Sequence, residues 1–374
     1  MSPDLILLGI SLMIWGVGEG MFFIFQPLYL QQLGADPVAI GAILGAAGIA
    51  MAVAHIPAGH LADRIGRKPL LLVAWFIGLA ATWIMALAPS LPLFVAGMLI
   101  YSLTAFVSSP MSSYVTAARG KLGVGRVLTI VSAIYNTGAI LGPWLGGQVG
   151  QRYGLRSIYL IAGCLFILST IILLFIKPQP IDDHDPDGKI NGSVINRRFI
   201  TYQAIIFFAG LSMYLAQPLS SNFLHNQHNL SLETIGNLGS ISSIGVVVLN
   251  LGLGSLNAHT GYLLGQMCVG IFTLILWKAN NLPWFALAYF LVGGYRITRS
   301  LATAQTRNLI QQSRMGLAYG ITETVSASAI IFASVAAGIL YDSNPSLMYI
   351  VGFCLICGSI LISARYIPRP DIAL

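Results

Sequence analysis

The sequence predicts an all-α integral membrane protein of twelve transmembrane helices in two pseudo-symmetric six-helix halves, and three observations predict it. Of 374 residues, 56% are hydrophobic and only 8% are charged, too few polar side chains to cover a soluble domain of this length. Apolar stretches long enough to cross ~30 Å of hydrocarbon recur twelve times, near 5–30, 38–60, 70–88, 92–116, 127–149, 157–176, 199–222, 233–253, 261–278, 283–305, 316–340 and 347–365. The chain also repeats itself. Gln26-Pro27-Leu28 returns as Gln217-Pro218-Leu219, Leu91-Pro92 as Leu282-Pro283, and Gly138, Gly142, Gly146 and Gly147 fall on Ala329, Ala333, Ala337 and Gly338, each pair 191 residues apart. A repeat of this length implies two bundles, 1–176 and 199–374, joined by a cytoplasmic linker at 177–198.

The first span begins directly after Met1-Ser2-Pro3-Asp4, which lacks the basic residues of a signal peptide and precedes too long an apolar stretch for one. With the N-terminus inside, the inner loops and C-terminus collect Arg64, Arg67, Lys68, Arg119, Lys121, Arg126, Lys177, Lys189, Arg197, Arg198, Arg307, Arg314, Arg365 and Arg369. The outer loops hold only Arg152, Arg156 and Lys278. Both termini are therefore expected in the cytoplasm, and the net charge of +7 reads as orientation rather than nucleic-acid binding. The expected location is a cell membrane, a bacterial inner membrane, with the bilayer as the surrounding partner and the protein a monomer.

Within the first span, Glu19 lies roughly 21 Å along the helix at 1.5 Å per residue, flanked by Gly16, Gly18 and Gly20. An ionisable group at membrane depth is a functional candidate by default. A desolvated carboxylate can take up and release a proton near neutral pH, the alternative being a structural hydrogen bond. The glycines are expected to thin the helix and leave room for a ligand. Gln26 precedes Pro27, so its amide either contacts a ligand or satisfies the carbonyl freed by the proline.

Asp36-Pro37 opens the second span, and the run Gly59-His60-Leu61-Ala62-Asp63-Arg64-Ile65-Gly66-Arg67-Lys68-Pro69-Leu70 closes it and begins the third. Four charges between two apolar segments make a tight cytoplasmic turn. This spacing resembles the signature between the second and third helices of the major facilitator superfamily, whose members carry small solutes across membranes by alternating access. The resemblance covers essentially the whole chain. It implies that Gly59, Asp63, Arg64, Gly66, Arg67 and Lys68 form a latch that breaks and reforms in each cycle. The second half retains a ghost of the motif in Gly254 to Gly261, with Ala258 for Asp63 and His259 for Arg64, so an asymmetric gate is expected.

Pro89 to Pro92 turns the chain into the fourth span, which carries Tyr101 and Ser108 and ends in Ser112-Ser113-Tyr114-Val115-Thr116 without the carboxylate that completes the family's charge relay. Drug exporters of the family often place an arginine early in this helix; here there is none, which leaves sugar or metabolite transport open. The fifth span carries Gly138, Gly142, Pro143, Gly146 and Gly147. Small residues four apart allow close helix contact and Pro143 bends the helix; packing against a helix of the other half is expected. The arrangement looks like the family's exporter and antiporter signature.

After the sixth span, the linker contains Asp183-His184-Asp185-Pro186-Asp187-Gly188-Lys189-Ile190-Asn191, which follows a calcium loop for nine positions. Val194 stands where the bidentate Glu would close it, so no metal is assigned. The seventh span carries Tyr214 and Gln217, and the tenth carries Arg296 and Arg299, three apart and hence on one face. Glu323, early in the eleventh, is a possible partner for either arginine. At the repeat offset these charges face Ala105, Ser108 and Ser132 and Glu19 faces Gly210, so the scaffold is duplicated and the charges are not. Cys354 and Cys357 in the twelfth span have no second pair, and His225 and His228 no third ligand; neither metal nor redox chemistry is assigned. No cofactor and no phosphate-cradling loop is expected, and no enzyme activity.

By resemblance the first, fourth, seventh and tenth helices line a cavity. That makes Glu19, Gln26, Tyr101, Ser108, Tyr214, Gln217, Arg296, Arg299 and Glu323 the candidate contacts for a small-molecule substrate and for protons. The expected activity is proton-coupled export, with uptake of a sugar or anionic metabolite, or solute sensing, as alternatives.

Overall fold

The computed structural model describes residues 2–179, 197–306 and 315–366, and for residues 55–65, 109, 315–317 and 319 the backbone only. The calcium-like stretch of the linker, Arg307, Arg314 and Arg369 lie outside the described residues. Among the described residues, sixteen α-helices occupy the twelve expected segments. Ten helical stretches among the described residues are long and apolar enough to cross a membrane. The other two segments are each split into halves too short or too polar to qualify alone.

Among the described residues four segments are broken, and they are the four expected to line a cavity. The first is α1 (Pro3–Phe23) and α2 (Gln26–Gln32), with Pro27 in the first turn of α2. After α3 (Pro37–Ile65) and α4 (Arg67–Leu87), the fourth segment is α5 (Leu91–Leu103) and α6 (Ser108–Ala117) around a 3-10 turn, Thr104–Val107. Next come α7 (Val124–Tyr153) and α8 (Leu155–Leu174). The seventh segment is α9 (Arg197–Tyr214) and α10 (Ser220–His228), broken around Pro218, followed by α11 (Leu232–Gly254) and α12 (Ala258–Lys278). The tenth is α13 (Leu282–Leu291) and α14 (Gly294–Thr306), and α15 (Met315–Ser343) and α16 (Leu347–Tyr366) complete the chain. Proline explains the breaks at Pro27 and Pro218, since it lacks the N–H that a continuing helix needs. A close backbone approach accompanies the break at Gly293, where a Cβ would lie 2.5 Å from the Gly245 carbonyl carbon of α11. The tight reversals from α3 to α4 and from α7 to α8 turn on Gly66 and Gly154, with φ of 84° and 83°, a region that side chains rarely tolerate.

The helices group into two compact units. Unit 1 comprises Met1–Ala35, Ala46–Asp183 and Leu224–Ser240; unit 2 comprises Asp36–Gly45, His184–Phe223 and Ile241–Leu374. In unit 1, α1 packs on α7 and α8, and α4 on α8 and α5. In unit 2, α9 packs on α15 and α16, and α12 on α16 and α13. The same four pairings thus recur at the repeat offset.

Side chains repeat the pattern. In unit 1, Trp75 Nε1 donates to Ser169 Oγ (2.9 Å) and Ser11 Oγ (3.1 Å), tying α4 to α8 and α1. At the equivalent of Trp75 in unit 2, Gln266 donates to Ser363 Oγ (3.1 Å) and accepts from Ser359 Oγ (2.8 Å), tying α12 to α16. These groups are buried and matched, so none is left unpaired in hydrocarbon. Large apolar side chains such as Ile6, Phe76, Leu251 and Leu361 are exposed on the helices, as a lipid-facing surface requires.

Candidate functional site

In unit 1 the polar centre is Glu19, half-buried one turn before the break between α1 and α2. Tyr135 of α7 donates its hydroxyl to Glu19 Oε2 at 2.6 Å. The buried Tyr101 hydroxyl of α5, which has no hydrogen bond of regular geometry, lies within electrostatic reach of the same carboxylate. Beneath it stands an aromatic stack: Trp15 lies over Phe166 with ring centroids 3.9 Å apart and planes at 4°, and Tyr101 follows at 6.2 Å from Phe166.

The glycines around Glu19 hold neighbouring helices rather than a ligand, contrary to the expectation from sequence. A Cβ on Gly16 would lie 2.5 Å from the Tyr135 carbonyl oxygen, on Gly18 2.6 Å from the Phe166 ring, and on Gly20 3.1 Å from Gly142 Cα. Small residues here bring α7 close enough for Tyr135 to reach Glu19. Sequence reasoning missed Tyr135. Its signal was its position three residues before Gly138, on the face that the glycine stripe turns towards α1.

That stripe also corrects a second expectation. A Cβ on Gly138 would meet the Met13 carbonyl oxygen at 2.2 Å, on Gly142 the Val17 carbonyl oxygen at 2.5 Å, and on Gly146 the Met21 carbonyl oxygen at 2.3 Å. All three pack on α1, in their own half of the sequence. Only Gly147 and Pro143 face α11, where a Cβ on Gly236 would lie 2.4 Å from the Pro143 carbonyl oxygen and 2.8 Å from Gly147 Cα. Unit 2 holds the counterpart, with a Cβ on Gly41 2.5 Å from the Ser334 carbonyl oxygen and 3.0 Å from Gly338 Cα.

In unit 2 the polar centre is α14. Arg296, Arg299, Ser300 and Thr303 share one exposed to half-exposed face, while Ile297, Thr298, Ala302 and Gln305 are buried. Arg299 forms an ion pair with Glu323 of α15, and Thr303 donates to the second Glu323 oxygen at 3.1 Å. Of the two arginines only Arg299 takes Glu323. Arg296 is exposed and makes no side-chain ion pair with a described residue. Tyr214 and Tyr295 stand beside them, ring centroids 5.5 Å apart, within reach of both guanidinium groups. A cavity of about 20 Å³ lies behind Arg299, lined by Tyr262, Tyr295, Thr298 and Ser326 among others, room for roughly one water.

The remaining candidates have local partners. Gln217 donates to the Met213 carbonyl at 2.8 Å, whose usual partner, the Gln217 N–H, bonds Tyr214 instead; the amide repairs the break at Pro218. Ser108 donates to Ala105 O at 3.2 Å. Gln26 is buried and makes no side-chain hydrogen bond to a described residue. In the charged turn, Lys68 donates to the Leu174 carbonyl at 3.3 Å, Arg67 is half-buried, and Gly59, Asp63 and Arg64 are described by their backbone alone. Among the described residues no three His, Cys, Asp or Glu side chains gather as metal ligands. His225 Nδ1 shares a hydrogen bond with the Leu230 carbonyl at 2.9 Å, and burial pushes the His228 imidazole below its usual range. A larger depression of about 500 Å³ beside Lys278, Asn281 and Trp284 contains none of the candidate residues.

The Major Facilitator Superfamily model matches residues 8–206 and again 204–373. An uncharacterised MFS-type transporter of Methanocaldococcus jannaschii is 25% identical over 87% of this chain and 88% of its own. Multidrug resistance protein 2 of Bacillus subtilis is 22% identical over 91% and 90%, and quinolone resistance protein NorA of Staphylococcus aureus 21% over 91% of both. Among solved structures, a variant of the nucleoside transporter NupG superposes with a TM-score of 0.81 at 13% identity, covering 97% of this chain and 98% of its own. Matched twice by one family model, with relatives along most of its length and the same fold, this chain belongs to the Major Facilitator Superfamily and is a multi-pass membrane transporter rather than an enzyme.

Proposed function

We propose that this protein exports a small organic solute by alternating access, in exchange for protons that enter through Glu19. The observation that carries the reading is the Glu19 contact: a half-buried carboxylate held by Tyr135 of α7, with the buried Tyr101 hydroxyl within electrostatic reach. A carboxylate in a membrane helix is costly unless its charge is matched or neutralised. Hydroxyl donors carry no charge to balance it, whereas a proton neutralises it outright, so protonation state and conformation are coupled. The names of the Bacillus and Staphylococcus relatives, a multidrug and a quinolone resistance protein, support outward movement.

The chain's own asymmetry supports the division of labour. Glu19 faces Gly210 at the repeat offset and Arg299 faces Ser108, so the charged groups of the two units differ on a common scaffold. The charged turn from Gly59 to Lys68 acts as the cytoplasmic latch. In proteoliposomes with an imposed pH gradient, the protein is expected to move ethidium or 2-naphthoate against its own gradient, and an uncoupler is expected to abolish the movement. Flux that survives the uncoupler unchanged contradicts proton coupling.

A further inference from the structure

We propose that Arg296 is the recognition site for a substrate that carries an anionic group on a planar organic body, an aromatic carboxylate or its equivalent; the proposal rests on the transport reading above for its role, and on α14 for its chemistry. Arg296 lies fourteen residues beyond Leu282, the start of α13, and ten before Thr306, the end of α14. At 1.5 Å per residue it stands roughly 21 Å from one end of the segment and 15 Å from the other. A side chain at that depth cannot reach either interface, so its charge must be met within the protein, by water or by a ligand.

The polar face of α14 decides between lipid and lumen. Arg296, Arg299, Ser300 and Thr303 follow helical spacing on one exposed to half-exposed stripe. Such a stripe is tolerated at membrane depth where it lines a water-accessible space. Along the stripe, Arg299 and Thr303 are both taken up by Glu323. One positive charge is left over, on Arg296, with no described carboxylate within ion-pair distance.

Guanidinium binds carboxylate or phosphate through two parallel hydrogen bonds and cannot shed its proton, so it selects an anion over a neutral isostere. The Tyr214 and Tyr295 rings, 5.5 Å apart at 49°, supply adjoining aromatic surface for a planar body. The equivalent stripe in unit 1 keeps polarity and loses charge, with Ala105, Ser108 and Ser112 at the positions of Arg296, Arg299 and Thr303. Anion recognition therefore belongs to unit 2 alone.

The test is equilibrium binding of 2-naphthoate, 2-naphthamide and benzyltrimethylammonium to the purified full-length protein, run beside flux in proteoliposomes. Wild type is expected to bind 2-naphthoate at least tenfold more tightly than the amide. Arg296→Gln should abolish that preference, and Arg296→Lys should retain part of it, with melting temperatures unchanged because Arg296 has no ion pair to lose. No naphthoate binding, equal binding by Arg296→Gln, or preference for the cation overturns the proposal. Flux separates it from the transport reading: naphthoate that binds through Arg296 without moving supports the site and contradicts transport of this class, whereas cation flux without naphthoate binding does the reverse.

Discussion

Arg299 and Glu323 form one ion pair among the described residues at membrane depth, and its worth depends on how wet it is. The side chains are 36% and 48% exposed, so the attraction is screened and its coupling energy is expected at about 0.5–1 kcal/mol. Glu323→Gln or Arg299→Gln alone leaves the other charge unmatched and should lower the melting temperature, while the double variant recovers most of the loss. A thermal double-mutant cycle in detergent measures this, and additive single effects would mean no pairing. The charged residues were legible in the sequence because ionisable groups are rare in spans. Their pairing was not, because Arg296 and Arg299 share a face and only the position of α15 decides which one Glu323 reaches.

Helix breaks and glycine stripes belong to the scale of the element. The sequence placed all twelve segments to within a few residues, since apolar length and turn residues mark them directly. Pro27 and Pro218 signalled two of the four breaks, and Pro110 in the first turn of α6 marks the one at Thr104–Val107; the break at Gly293 accompanies a close backbone approach to Gly245 and carries no comparable mark. The glycines of α7 were legible as a packing stripe, and Gly147 with Pro143 meets α11 of the other half as expected, but Gly138, Gly142 and Gly146 meet α1 instead, because spacing states that backbones approach and not whose. Gly142→Ala places a methyl 2.5 Å from the Val17 carbonyl oxygen and should destabilise the protein by about 1–3 kcal/mol. Gly125→Ala, on the same helix with nothing within 4 Å, should change stability by less than about 1 kcal/mol. Thermal unfolding of the two variants side by side checks the contrast.

At the scale of the molecule, an internal repeat read from a handful of tripeptides and glycines corresponds to four recurring helix pairings, a recurring buried cross-link at Trp75 and Gln266, and recurring glycine contacts at Gly41 and Gly236. Against that duplicated frame the charges stand alone: Glu19 in one unit, Arg296 and Arg299 in the other, and the charged turn after α3 without a charged counterpart. Asp63→Asn is expected to slow transport severalfold by shifting the conformational balance while leaving probe affinity unchanged, measured as flux and equilibrium binding on the same preparation. Unchanged flux would reduce the turn to a topological anchor.

Proton coupling through Glu19 is the central claim, and Glu19→Gln tests it most directly. In proteoliposomes, the variant should lose at least tenfold of the flux driven by a pH gradient while retaining solute exchange at equal pH, since a neutral side chain can still cycle but cannot carry the proton. Flux driven by the pH gradient at the wild-type rate would contradict the account.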